Sequence, residues 1–487
     1  MKPMRSLALT ALAALTLSLA PAGSDAARPE RADSFAVTNV RVFDGLRVIP
    51  DATVVVRNGR IHAVGRHLDV PPNLPEIDGS GKTLMPGIID SHGHARERRE
   101  LERAAQFGIT TLMDMQSVNP FATQMYGEQR RGEAHDRADF FSAINPATVE
   151  EGYPYIFTPD VVETPTLDSP EEADEFVRRR IAEGSTHIKI FLENGELFGF
   201  EMPVLSRETV RALVRATHRR GRLAVAHVTL QRFGRQAIED GVDGLVHAFP
   251  DTPVTDSLLG LARSRGIFLV GTVAITESFI TTAGGQALVA DPELSPYLTA
   301  EEIDSLLTPG SPNPLTLENL EILKDNVGRF HGAGIPVLTG SDSPLHGPTV
   351  HRDLELLVES GLTPREALIG ATSAAARVYG LRDRGRIAPG QRADLLLVEG
   401  DPTVDIKATR ALRKIWKGGA EVARPLNSTL SASEPPTGPS PPRPSSPSLP
   451  STPGRGRPHP ARIQAVSLLS RGWTGGGERR AGVVRAR

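Results

Sequence analysis

The 487-residue sequence contains no cysteine. That absence excludes a disulfide scaffold, thiolate metal sites, a cysteine nucleophile and an N-terminal cysteine carrying a lipid. A dominant charge of either sign is also missing: the formal net charge is −3, which gives no electrostatic footprint for nucleic acid or an anionic membrane. The apolar run Leu7–Ala20 holds 14 residues, short of the ~20 that a membrane-spanning helix needs. No G-x-S-x-G elbow is present, which argues against a serine hydrolase. What is there is 39% apolar residues, ample for a core. At roughly 150 residues per domain, the length fits two to four domains, or one large α/β barrel with attachments.

The two ends distort the overall balance. Residues 1–27 read as an export signal, with Lys2 and Arg5 ahead of the Leu/Ala-rich run and Ser24-Asp25-Ala26 as a small-residue cleavage site. The expected location is therefore periplasmic or extracellular, without a stable membrane anchor after cleavage. Residues 425–487 are rich in Pro and Ser and hold nine Arg against two Glu. Such a segment buries too little apolar surface to offset its chain entropy and is expected to be a disordered tail. With both ends set aside, residues 28–424 carry a net charge of −11.

Between residues 84 and 383, short β-branched or apolar runs alternate with amphipathic helical stretches. The runs are Leu84–Asp90, Thr110–Asp114, Ala138–Ile144, His187–Leu192, Leu223–His227, Gly244–His247, Ile267–Gly271 and Pro336–Thr339. Helix starts are marked by Ser169-Pro170-Glu171-Glu172, which reads as a capping box, and by Ser206. Eight strands alternating with helices over this length predict an α/β fold of the (β/α)8 TIM-barrel type. The connection Thr272–Leu317 is far longer than usual and is expected to be a lid or substrate loop. Residues 28–83 and 384–424 each carry strand patterns, with tight turns at Asn58-Gly59 and Gly418-Gly419. Neither flank makes a stable sheet alone, so the two are expected to combine in one small β-sandwich domain.

Active-site residues of such barrels come from the C-terminal ends of strands. Here the first strand ends in Asp90-Ser91-His92-Gly93-His94, the fourth contains Lys189, the fifth ends in His227, the sixth in His247 and the eighth in Asp342. Residues two apart in a strand share a face, so His92 and His94 can reach one ion. Taken singly, each histidine also fits a hydrogen-bonded core or surface residue, and Asp342 an ordinary turn or cap. Lys189 is harder to place in that way, because an ammonium inside His187-Ile188-Lys189-Ile190-Phe191 is costly to bury. Four histidines and an aspartate meeting at strand ends point to a site.

The set, in this order, resembles the amidohydrolase superfamily, in its imidazolonepropionase-like and prolidase-like branch. Supporting segments are Arg57-Asn58-Gly59-Arg60-Ile61, Met85-Pro86-Gly87-Ile88-Ile89-Asp90-Ser91-His92-Gly93-His94, Gly108-Ile109-Thr110-Thr111, Thr339-Gly340-Ser341-Asp342, Gly361-Leu362-Thr363-Pro364-Arg365-Glu366-Ala367 and Gly385-Arg386-Ile387-Ala388-Pro389-Gly390-Gln391-Arg392-Ala393-Asp394. The resemblance spans roughly residues 36–420.

It implies two divalent metal ions, usually zinc, with His92, His94 and Asp342 on one ion and His227 and His247 on the other. Lys189, N-carboxylated by carbon dioxide, would bridge them, and Asp90 would orient a ligand histidine. The implied reaction is hydrolysis of a C–N bond in an amide, cyclic amide or dipeptide by a metal-bridging hydroxide, with Asp342 as proton shuttle. Cleavage of an ester, lactone or phosphotriester by the same site stays open, as does a non-catalytic ligand-binding barrel. The expected partner is a small-molecule substrate, and self-association into a homo-oligomer is left open. His187 reads as a packed strand residue, and His346 and His351 as substrate contacts or helix caps. Two departures from the family pattern stand out: Val246 precedes His247 where relatives carry Glu, and Glu151-Gly152-Tyr153-Pro154-Tyr155 replaces a Gly-Gly-His segment. A specific substrate therefore does not transfer with the resemblance.

Overall fold

The computed structural model describes residues 33–154, 165–310, 313–343 and 345–427. The expected export signal and all but the first three residues of the expected tail lie outside the described residues. The strands, in chain order, are β1 (Phe35–Phe43), β2 (Val48–Arg57), β3 (Arg60–Gly65), β4 (Glu76–Asp78), β5 (Lys82–Pro86), β6 (Ile88–Gly93), β7 (Ile109–Asp114) and β8 (Asp139–Ser142). They continue with β9 (Ile188–Leu192), β10 (Ala224–Val228), β11 (Gly244–Val246), β12 (Phe268–Val270), β13 (Val337–Leu338), β14 (Leu395–Glu399), β15 (Leu412–Lys417) and β16 (Ala420–Glu421).

The two flanks do combine. Their strands form one sheet in the order β16-β15-β14-β5-β1-β2-β3, with β4 beside β1. The turn residues Asn58 and Gly59 both have positive φ, 49° and 73°, as a tight hairpin between β2 and β3 requires. At its far edge the sheet returns on itself: Ile61 N–H donates to Gln391 O at 2.9 Å, and Ala393 N–H to Gly59 O at 2.9 Å. The curl encloses a core that includes Phe35, Val40, Val54, Leu84, Leu395 and Trp416, the last stacked on Phe35 with ring centroids 4.8 Å apart. The flanks thus form one curled sheet where separate sandwich layers were expected.

The middle of the chain builds two parallel sheets, β6-β7-β8 and β13-β12-β11-β10-β9. Backbone hydrogen bonds cross both seams between them. Ala147 N–H donates to Lys189 O (2.8 Å) and Phe191 N–H to Ala147 O (3.0 Å) at one seam; Ser91 N–H donates to Thr339 O (2.9 Å) at the other. The run expected as a single first strand is divided: β5 pairs with β14 in the flank sheet, while β6 pairs with β7. The break falls at Gly87, where a Cβ would meet Thr110 Oγ1 at 2.2 Å, so only glycine lets the chain pass from one sheet to the other.

Ser206 caps its helix by accepting from Thr209 N–H. Ser169 does not cap in that way: Pro170–Glu172 form a 3₁₀ turn ahead of helix Ala173–Glu183. The long Thr272–Leu317 connection is also not a bare loop. It holds helices Val273–Ile280, Ala283–Val289 and Ala300–Leu307. These are tied down by ion pairs Arg352–Glu277 (2.7 Å), Arg410–Asp291 (2.7 Å) and Arg103–Glu302 (2.7 Å). The segment beyond Arg424 joins this packing, since Asn427 donates from its backbone to Pro296 O and from its side chain to Leu298 O. No helix among the described residues is long and apolar enough to cross a membrane.

Candidate active site

Strand geometry brings His92 and His94 to the end of β6, Lys189 into β9, His227 into β10 and His247 just beyond β11. Asp342 follows β13 and reaches across the seam. Its Oδ1 lies 3.2 Å from His92 Nε2 and 3.0 Å from His94 Nε2, and its Oδ2 lies 3.8 Å from His247 Nδ1. Lys189 Nζ lies 3.3 Å from His92 Nε2, and His227 Nδ1 lies 2.9 Å from His247 Nε2. All six side chains expected to form the site are thus linked in a chain of short contacts. His92, His94 and Asp342 offer ligand atoms within 4.8 Å of one another.

The electrostatics follow from burial. Burial pushes the Lys189 ammonium down to about 8, against the attraction of Asp342 and Asp114. Burial also lowers His92, to about 3, and lowers both His227 and His247, so these rings are neutral at pH 7. For Asp342 burial acts upward, but the neighbouring histidines overrule it and hold the carboxyl well below the usual range. A neutral-ring, ionised-carboxylate donor set is the form in which these groups bind a cation.

Two of the ring nitrogens facing away from the centre, on His94 and His247, have hydrogen-bond partners. His94 Nδ1 donates to Gln116 O at 3.4 Å, leaving Nε2 with a lone pair directed inward. Thr272 Oγ donates to Gly271 O, so it accepts from His247 Nδ1 at 2.8 Å. That fixes the tautomer of His247, with the lone pair on Nε2. His227 Nε2 faces Glu193 Oε2 at 3.7 Å. Glu193 is itself buried and fixed by Thr229 Oγ and, at 2.7 Å, by Gly195 N–H. His227 Nδ1 lies 2.9 Å from the His247 Nε2 lone pair, close enough for the two nitrogens to share a proton or, with that proton lost, to bind one divalent cation. His92 Nδ1 and His227 Nε2 are buried without a hydrogen-bond partner. The residues present therefore fit a metal centre.

Around this set lies an aromatic wall. Tyr153 stacks on His227, with centroids 4.7 Å apart and planes inclined by 27°, and Phe191 lies 5.0 Å from both rings. Lys189 Nζ sits 4.9 Å from the Phe191 centroid.

Asp90 acts on backbone and not on an imidazole. Its buried carboxyl accepts from His92 N–H (3.1 Å), Ser341 N–H (3.0 Å) and Ser341 Oγ (2.7 Å), and burial raises its pKa to about 6. His187 is packed, with Nδ1 3.0 Å from Thr186 Oγ1. His346 donates to His94 O, and His351 lies between Thr409 Oγ1 and Phe107 O, which makes it a core residue. Glu193 and Thr272 were not anticipated from the sequence. The one signal that could have found Glu193 is its place at the end of β9, four residues after Lys189.

A family profile described as "Amidohydrolase family" matches residues 83–423, and one described as "NagA composite domain" matches residues 34–84. An imidazolonepropionase from Cereibacter sphaeroides is 28% identical over 398 residues, covering 76% of this chain and 94% of the relative. An ochratoxinase from Aspergillus niger is 27% identical over 266 residues, covering 52% of this chain and 49% of the relative. Among solved structures, an Xaa-Pro dipeptidase with methionine bound in its active site superimposes with a TM-score of 0.64 at 19% identity, covering 80% of this chain and 99% of that one. The chain belongs to the amidohydrolase family and is a hydrolase acting on carbon–nitrogen bonds.

Proposed function

We propose that this chain hydrolyses the C–N bond of a small amide, cyclic amide or dipeptide at a centre that binds two divalent metal ions, zinc being the expected one. The observation that carries the reading is the pair of ring nitrogens on His227 and His247, 2.9 Å apart, beside a second donor set of His92, His94 and Asp342. His92, His94 and Asp342 would hold one ion, and His227 and His247 the other. Bound divalent ions acidify water and polarise a carbonyl oxygen.

The remaining work falls to the chain. Asp342 stays ionised at neutral pH, ready to take a proton from the attacking water and pass it to the leaving nitrogen. Lys189, with its pKa lowered to about 8, has an accessible neutral amine. That amine adds to carbon dioxide, forming an N–C bond and releasing one proton, and the carbamate supplies the anionic charge that two cations require. The aromatic wall of Tyr153 and Phe191 excludes water from one side of the donor set and offers an apolar face to substrate.

The hydrogen bonds across both seams support a single closed barrel of eight strands, β6 to β13, with the curled flank sheet beside it. Residues 1–27 are read as a signal that directs export, to be checked by N-terminal sequencing of protein recovered outside the cytoplasm.

The deciding experiment is a screen of metal-loaded protein against N-acyl amino acids, Xaa-Pro dipeptides, cyclic amides and lactones. Turnover of an amide or peptide class supports the reading. Turnover of lactones alone assigns the site to esters, and no turnover of any class contradicts hydrolysis.

A further inference from the structure

Two non-glycine residues at the site hold left-handed backbone conformations: Thr272 at φ 48° and Asp342 at φ 46°. Both are costly, the β-branched threonine especially, and such residues persist only where their surroundings over-determine them. Thr272 accepts from His247, and Asp342 contacts His92 and His94, so both conformations are tied to the donor set. The two residues lie 70 positions apart in the chain and follow different strands, β12 and β13.

One side chain reaches the backbone beside both. Asp353, fully buried in helix Pro348–Glu359, accepts on Oδ1 from Val273 N–H (3.0 Å) and Ala274 N–H (3.3 Å). Its Oδ2 accepts from Gly340 N–H at 3.1 Å. Three successive amides are then fixed on the Asp342 side: Gly340 by Asp353, Ser341 by Asp90, and Asp342 by His92 O at 2.7 Å. Gly340 has no room for a side chain, since a Cβ there would meet Val270 Cγ1 at 2.3 Å and His92 Cβ at 2.8 Å. The turn is pressed against β6 and held from behind by the helix. On the Thr272 side, the same carboxylate caps the first two amides of helix Val273–Ile280, where no side chain of its own helix does so.

We propose that Asp353 is a positioning residue for this site: it binds no metal and touches no substrate, but clamps the backbone after Thr272 to the backbone before Asp342. His247's partner and the carboxylate that faces His92 and His94 are thereby kept in one register. A neutral amide does this poorly, because one of its two polar atoms is a donor facing an N–H donor. The clamp rests on the functional reading above only where metal is measured; in the metal-free protein it is a statement about three amides.

The test is Asp353→Leu, which keeps the branched shape and removes both acceptor oxygens, studied by hydrogen–deuterium exchange read at single amides in metal-free protein, and by the visible spectrum and affinity of the cobalt(II)-loaded form. The clamp predicts that Val273, Ala274 and Gly340 exchange at least ~10-fold faster together while amides of β1 and β14 are unchanged. It also predicts a changed cobalt spectrum and ~10- to 100-fold weaker binding, the usual effect of removing a group that supports a ligand. Faster exchange on one side only, loss confined to helix Pro348–Glu359, or a uniform rise throughout the chain would overturn it. So would an unchanged cobalt spectrum in a variant that does bind the ion. If neither form binds cobalt while the three amides respond together, the clamp stands and the metal reading fails. Should Asp353→Leu not fold, Asp353→Glu, which keeps both acceptor oxygens one methylene further out, is measured in the same way, and normal exchange at all three amides in that variant overturns the clamp.

Discussion

His227 Nδ1 and His247 Nε2 lie 2.9 Å apart, and the far nitrogen of each ring faces a group that accepts a proton: Glu193 for His227 and Thr272 for His247. Two imidazoles arranged in this way are placed to hold either a shared proton or a cation between them.

Glu193→Gln removes the carboxylate that orients His227 but keeps the shape. Metal affinity at one of the two sites should fall ~10- to 100-fold, as it does when the partner of a ligand histidine is lost. Competition titration with a chromogenic chelator measures this; unchanged affinity at both sites means that Glu193 does not orient the ring.

Asp342→Asn should lower kcat by roughly 10²- to 10⁴-fold, the scale of a lost general base. In protein that retains its metal, KM should change far less, since the proton transfer is felt in the transition state and not in substrate binding. The split is read from steady-state kinetics on whichever substrate the screen returns.

Lys189→Ala should lower kcat by at least about 10²-fold, comparable to losing one preorganised charge-stabilising group. A short carboxylic acid added to the assay should restore part of the activity by supplying the missing anionic oxygens. Full activity in the unsupplemented variant rules out a carboxylated lysine.

Asp139 anchors β8 to the C-terminal flank through Arg384 (2.5 Å), Arg392 (2.6 Å) and Lys417 (3.0 Å). Burial alone raises its pKa, but Lys417, Arg392 and Arg384 overrule burial and hold the carboxyl well below the usual range. The folded chain therefore binds fewer protons here than the unfolded chain. Its contribution to stability is complete above the ordinary aspartate pKa of about 3.9 and is lost as pH falls below it. Asp139→Asn leaves a fully buried Lys417 without this partner and should cost about 3–5 kcal/mol at pH 7. Chemical denaturation at pH 7 and at pH 3 checks both points: the difference between parent and variant should shrink on acidification.

How far the sequence carries depends on distance along the chain. Short β-branched or apolar runs located β6 to β13 to within a few residues, because such composition is a local property of each strand. The same runs put Lys189 inside the fourth strand and His92 and His227 at strand ends, and the structure brings them together with His94, His247 and Asp342. The tight turn at Asn58-Gly59 was legible for the same reason, since its positive φ values are demanded by two adjacent residues. What local pattern does not carry is partnership. Glu193 meets His227 across neighbouring strands, and Asp353 meets Val273 at 80 residues' remove. The Thr272–Leu317 connection reads as an open lid because its anchors, Arg352, Arg410 and Arg103, come from other parts of the chain. The first predicted strand was too long because Leu84 and Ile88 are equally apolar, and only the approach of Thr110 to Gly87 decides which sheet each joins.

The central claim is that this hydrolase works through metal held by His92, His94, Lys189, His227, His247 and Asp342. Its most direct test is the metal content of purified protein by mass spectrometry, paired with activity before chelation, after chelation and after reloading. The account predicts close to two divalent ions per chain, loss of turnover on chelation and recovery on reloading; full activity in protein shown to be free of metal would contradict it.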